Sequence, residues 1–296
     1  MKKTYQTNLI LVFLLTILTL YLVNSNLITT NILDYTKLFF TKLFPTSFLL
    51  LTITSLLINY KLIETISTIV KKNSTSIYII IMSLFCGFPS GPKYIADLYS
   101  KNYLSKKSAI SLLTFTHFPN PLFVLGPVAT LLYSKKLAFF ILLSIIIANF
   151  ITFLIFHKRY TSTAIPQTPE LPFSKALSQA IISSLKTQTL IYGTSLFFFL
   201  ISLLITTYLT PPPLIFVLIN GFFDLTKGIF STPTLLNTFI AAYLILLFIT
   251  FGSISIHIQI KSILMDANLT YKPFLIGRII STVLALIIFS LLLLII

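Results

Sequence analysis

Lys93 is the first residue that could do chemistry. It closes the run Gly87-Phe88-Pro89-Ser90-Gly91-Pro92-Lys93, which follows an apolar stretch too short to cross a membrane. A charge held inside a bilayer is costly and marks function by default. Asp97 lies one helical turn later and can pair with Lys93. Asp224 and Lys227 occupy a second such run, Asn220-Gly221-Phe222-Phe223-Asp224-Leu225-Thr226-Lys227-Gly228. Asp224 is the only acid between Glu170 and Asp266. A carboxylate at depth can seat a coupling cation or a proton; the competing reading is a helix cap near the outer surface. His257 and Gln259 follow Gly252-Ser253, with Ser255 between, and can hydrogen-bond a solute. Asn120 stands between Pro119 and Pro121. Gly87, Pro89, Ser90, Gly91 and Thr226 belong to the two interrupted tips and complete the candidate substrate-binding set. Interrupted helices also expose free N–H groups and positive dipole ends, which bind anions without a special side chain. Together with Lys93 they point to a small organic anion. No nucleophile–base spacing and no phosphate-cradling loop occurs, so no catalytic residue, cofactor or metal ligand is expected.

These residues need elements to hold them, and composition says where. The chain has 296 residues, of which 56% are hydrophobic and only 9% charged. Its mean hydropathy is +0.98. Soluble domains carry about 25% charged residues. The protein is therefore expected in a lipid bilayer, which excludes a cytosolic enzyme. One cysteine, Cys86, excludes a disulfide scaffold. Three His without clustered Cys or acids argue against a metal site. The net charge of +15 does not indicate nucleic acid, because the basic residues form short clusters between apolar spans. Only Arg159 and Arg278 are arginine among 21 cations, which with many Ile, Asn and Lys suits an AT-rich bacterial genome.

Five segments are long enough to span the roughly 30 Å hydrocarbon core, near 9–23, 39–59, 137–156, 190–209 and 274–296. The first is read as a retained helix rather than a signal peptide. The other apolar stretches are broken, and they recur in order. A short hairpin (77–104), an interrupted helix (106–133) and a clean span (137–156) are followed later by a hairpin (213–231), an interrupted helix (234–264) and a clean span (274–296). With the N-terminus in the cytoplasm, Lys37, Lys42, Lys135 and Lys136 fall outside, and the inside collects a large excess of Lys and Arg. The first hairpin then enters from the cytoplasm and the second from outside, so the repeats are inverted. Gly/Pro-interrupted segments at matching positions of inverted halves point to a transporter's binding site. The expected fold is an all-α membrane protein of about seven transmembrane helices plus two re-entrant hairpins. Its parts are N-terminal helices over 1–72, a first repeat over 73–159, a cytoplasmic linker with an amphipathic surface helix over 160–188, and a second repeat with its preceding span over 189–296.

The same residues resemble the YlbJ family of sporulation integral membrane proteins, within the nucleoside recognition, or Gate, domain group. The stretch Cys86 to Tyr99, followed by Leu104-Ser105-Lys106-Lys107-Ser108-Ala109, is similar to the family's G-[YF]-P-x-G-x-K…LY…[IL]-S-x-x-x-A segment. Gly221 to Gly228 resembles G-L-x-E-[IL]-T-x-G, and Phe251 to Gln259 resembles F-G-[GS]-x-S-x-H-x-Q. Leu269 to Arg278 resembles L-S-Y-K-P-[YF]-L-x-x-R. The four motifs keep their order across nearly the whole chain. The resemblance implies a multi-pass transporter of spore formers that moves dipicolinate, a small aromatic dicarboxylate, across the mother-cell-derived membrane around the forespore. His117-Phe118-Pro119-Asn120-Pro121 departs from the family's N-N-x-G-P, Asp224 replaces Glu, and Lys227 replaces a frequent Asn. Gate domains also occur in nucleoside carriers and ferrous iron permeases. The alternatives are a nucleoside or nucleobase carrier and a non-transporting membrane scaffold. The lipid bilayer, the organic anion and a coupling cation or proton are the expected partners; oligomeric state is left open.

Overall fold

The computed structural model describes residues 2–70, 74–156 and 171–294. The described residues form helices and connecting turns, without a strand. Five helices are long and apolar enough to cross a membrane, or seven if each of two bent pairs counts as one span. Lys71, Lys72, Lys158, Arg159 and the expected linker up to residue 170 lie outside the described residues.

Helix α1 (Lys2–Val23) is followed by α2 (Ser25–Leu38) and α3 (Phe44–Asn59). A π-turn at Phe39–Leu43 joins α2 to α3 and bends the pair by 43°. Pro45 lies just beyond it and supplies no N–H for the ladder, a regular cause of such a kink. This corrects one expectation. The second span does not begin at Phe39, because the helix of 25–38 runs into it. From Asn24 onward the chain runs antiparallel along α10 (Phe173–Leu209). Asn24 donates to the Tyr208 hydroxyl at 2.7 Å, Gln188 to Ser47 at 2.7 Å, and Thr52 to Ser184 at 3.1 Å. Lys37 and Lys42 thus sit within a helix. Helix α10 corrects a second expectation, because it is continuous over 37 residues. Ala176, Ala180 and Ser184 are buried against protein, so this stretch is no separate surface helix.

The order of hairpin, interrupted helix and clean span occurs twice. In the first, α4 (Leu62–Val70) leads to a hairpin of α5 (Ser74–Cys86) and α6 (Ser90–Ser100). Then α7 (Lys106–Leu113) and α8 (Pro121–Leu131) are separated by extended chain over 114–120, and α9 (Lys135–Phe156) completes the unit. In the second, α11 (Pro213–Phe223) and α12 (Leu225–Leu235) form the hairpin. Helices α13 (Thr238–Phe251) and α14 (Ile254–Asp266) are divided at Gly252-Ser253, and α15 (Lys272–Leu293) follows. Sequence sets each boundary. Ser105, Asn120, Asp224 and Asn237 cap α7, α8, α12 and α13 by accepting first-turn N–H groups. Gly252 ends α13 at φ +90°, where a side chain would be strained.

The two clean spans α9 and α15 pack together at the centre, where Thr152 and Ser281 hydroxyls meet at 2.9 Å. They run antiparallel. The end of α9 meets α7 through Ser111, which donates to the Phe156 carbonyl at 2.9 Å, while the start of α15 lies against Thr114 through Gly277. A Cβ at Gly277 would collide with the Thr114 carbonyl, so only glycine permits this approach.

Candidate functional site

The two hairpin tips and the two helix breaks converge on one cavity of about 290 Å³. Gly87, Phe88 and Pro89 come from the first tip, and Asp224, Leu225 and Thr226 from the second. Asn120, Leu122 and Phe123 come from the first break, and Ser255, Ile256 and Gln259 from the second. Gln188, Ile191 and Ser195 of α10 close one side, and Tyr35, Phe39, Lys42 and Ser47 of the bent second helix close another.

Of the residues singled out by sequence, Gly87, Pro89, Asn120, Asp224, Thr226, Ser255 and Gln259 line this cavity. Four do not. Ser90 is buried and its hydroxyl bonds the Gly87 carbonyl, tightening the tip turn. Gly91 lies so close to the Thr116 carbonyl that a Cβ has no room, so it sets the approach of hairpin and break. Lys93 points away from the cavity: its ammonium pairs with Asp97 at 2.9 Å and donates to Ser183 Oγ at 3.2 Å. The hairpin turns this side chain onto α10 because it sits one turn into α6, beyond the tip. His257 lies behind the cavity, with Nδ1 at 2.5 Å from the Tyr271 hydroxyl.

The cavity's polar groups are held by neighbours. Asp224 is 1% exposed. Its Oδ1 accepts the Lys227 N–H at 2.9 Å and its Oδ2 accepts the Tyr35 hydroxyl at 3.1 Å. It is both a helix cap and a cavity residue, so the two sequence readings merge. Tyr35 is fixed by stacking on Phe199, with centroids 4.6 Å apart. Gln259 donates to Ser195 Oγ at 3.1 Å. Asn120 accepts the Leu122 N–H at 2.8 Å. The start of α14 differs: Ser253 makes no side-chain cap, and its hydroxyl is engaged with that of Ser255 at 2.7 Å. The first turn of α14 thus has no side-chain cap from Ser253, and Ser255 and Ile256 of that turn line the cavity.

Sequence reasoning missed Lys42, which lines the cavity. It also missed a stripe on α10 comprising Ser184, Gln188, Ser195 and Ser202, all buried. Their spacing of four, seven and seven residues on an apolar helix was a readable signal.

Behind the cavity lies Arg278, fully buried on α15. It donates to the Thr114 carbonyl at 3.2 Å and the His117 carbonyl at 3.4 Å in the first break. It also donates to the Thr250 carbonyl at 3.4 Å in the second break and to Asn149 Oδ1 at 3.1 Å. Helix C-termini carry about half a negative charge each. One guanidinium thus neutralises the ends of α7 and α13 together, without a carboxylate. The His117 ring stacks on Phe88 at 4.8 Å and turns an edge to Phe274 at 5.4 Å. Among the described residues no three His, Cys, Asp or Glu cluster as a metal site would require.

The fold and this arrangement define a multi-pass, all-α membrane protein with two broken-helix repeats around one internal cavity. The chain is similar to the sporulation integral membrane protein YlbJ of Bacillus subtilis (strain 168), 23% identical over 250 residues, covering 70% of this chain and 61% of that protein. The chain therefore spans about three fifths of that relative's length. This homology supports a YlbJ-like family, in agreement with the motif resemblance. No family model and no solved structure matches the chain.

Proposed function

We propose that the protein is a membrane transporter for a small organic anion, with dipicolinate the leading solute and sporulation the setting. The observation that carries this reading is the convergence of both hairpin tips and both helix breaks on one cavity. Interrupted helices at matching positions are where transporters bind their solutes. The uncapped N-terminus of α14 offers N–H donors to one carboxylate, and the ammonium of Lys42 offers charge to a second. Phe88 and Tyr35 supply ring faces, and Asn120, Ser255 and Gln259 supply hydrogen bonds. The resemblance supplies the dicarboxylate, and the relative's printed name supplies the setting. In this reading the N-terminus is cytoplasmic and no chemical step is catalysed.

The test is uptake of labelled dipicolinate into proteoliposomes, with uridine as second solute. Saturable dipicolinate uptake that falls about tenfold in Gln259→Ala or Lys42→Ala is the expected result. Uridine uptake in its place would establish a nucleoside carrier. Absence of both from a correctly folded protein would favour a scaffold.

A further inference from the structure

Asp224 is the carboxylate of the cavity, and among the described residues no cation lies within ion-pair distance of it. Its two oxygens take the Lys227 N–H and the Tyr35 phenol, with the Ser195 hydroxyl and the Thr226 N–H also directed at it. Lys227, three residues on, lays its ammonium over the Phe199 ring at 5.6 Å instead. Among the described residues the ion pairs within 4.0 Å are Lys93–Asp97 and Lys186–Asp266; neither involves Asp224. A buried carboxylate without a counter-charge is strongly unfavourable.

A second buried oxygen stands close by in the chain. Asn220 is fully buried one turn earlier on α11. Its Nδ2 donates to the Phe216 carbonyl at 2.9 Å, and its Oδ1 has no hydrogen-bond partner. Such an orphan is rare inside folded proteins and calls for an explanation. Helix α11 ends at Phe223: the Asp224 N–H takes the Asn220 carbonyl at 2.8 Å, and the carbonyls after it carry the negative dipole end of the helix. The tip is held rigidly. Gly221 and Gly228 cross so closely that a Cβ on Gly228 would strike Gly221, and the Phe248 ring covers Gly221. Ser195 and Thr226 line the same cavity.

We propose that the tip of the second hairpin is a binding site for a monovalent alkali cation, held by Asp224, Asn220 and the C-terminal end of α11. Every group offered is an oxygen, the choice of hard cations, with no nitrogen or sulfur donor. One carboxylate balances one positive charge; a divalent ion would need more acids. Open half-helix carbonyl ends are known to suit sodium in membrane proteins. The proposal rests on the transporter reading only for the ion's role in coupling; the binding site itself does not depend on any organic solute.

The test uses the purified full-length chain and radioactive sodium ion, with no organic solute present. Expected are saturable binding displaced by excess sodium but not by choline, and a higher unfolding temperature in sodium chloride than in choline chloride at equal ionic strength. Asp224→Asn should lose binding, and Asn220→Ala should weaken it about tenfold. Lys42→Ala, on the same cavity but outside this oxygen set, should retain it. No saturable sodium binding by the folded wild type, or unchanged binding in a folded Asp224→Asn, would overturn the site; a proton taken up in its place would do the same. Should Asp224→Asn fail to fold, Asn220→Ala and the wild-type salt comparison decide the matter. Sodium binding without dipicolinate uptake would sink the transport proposal and leave this one standing.

Discussion

The two hairpins share a plan and end in opposite ways. The first carries its charges one turn past the tip, where Lys93 and Asp97 neutralise each other beside α10. What it gives the cavity is backbone and the Phe88 ring. The second keeps its carboxylate at the tip itself, buried and without an ion pair among the described residues. The breaks differ in the same sense. The first is a closed break, with Asn120 capping α8. The second leaves the start of α14, on the cavity, without a side-chain cap. In the proposed reading, this duplicated frame is divided into a wall and a binding half. The sharing of Arg278 between both breaks keeps the halves in register.

This division predicts an order of mutational effects. Arg278→Met should be the most damaging, because it takes the guanidinium from the buried carbonyls of Thr114 and Thr250 and leaves that of His117 with Asn149 alone. A stability loss of about 3 kcal/mol or more is expected as a lowered unfolding temperature, with Arg278→Lys restoring part. Next comes Gly277→Ala, which drives a Cβ into the Thr114 carbonyl and should cost about 1–3 kcal/mol. Gly193→Ala, where a Cβ meets open space, should cost nothing by the same measurement. Transport kinetics should then separate the hairpins. Ser255→Ala in the second break should weaken apparent solute affinity by about 1 kcal/mol. Lys93→Ala should change it by no more than about twofold, since it removes a partly exposed pair outside the cavity. A tenfold loss in Lys93→Ala would overturn the wall-and-binding division. Smallest of all, Lys186→Gln should leave stability within about 0.5 kcal/mol, because both ends of its pair with Asp266 are exposed.

Much of this was legible in sequence because breaks in a membrane helix are conspicuous. Gly87-Phe88-Pro89, Pro119-Asn120-Pro121 and Gly252-Ser253 cannot continue a helix, and each stands at an observed interruption. Seven of the eleven expected binding or coupling residues line the cavity for this reason. Side-chain direction was not legible. Lys93 is adjacent to the tip in sequence, but one turn of helix aims it elsewhere. The start of the second span was not legible, because the polar residues of 24–38 mask a helix that packs along α10. The role of Arg278 was not legible either, because nothing local reveals that two distant breaks need the same donor.

Arg278 also sets the order of assembly. Its partners at Thr114 and Thr250 emerge from the ribosome before it does, the first by 164 residues. Until the last described span is translated and inserted, α7 and α13 end in carbonyls that no protein donor reaches. The centre of the molecule is therefore completed last, and a nascent chain halted before α15 would present two unfinished helix ends to the machinery that inspects membrane proteins.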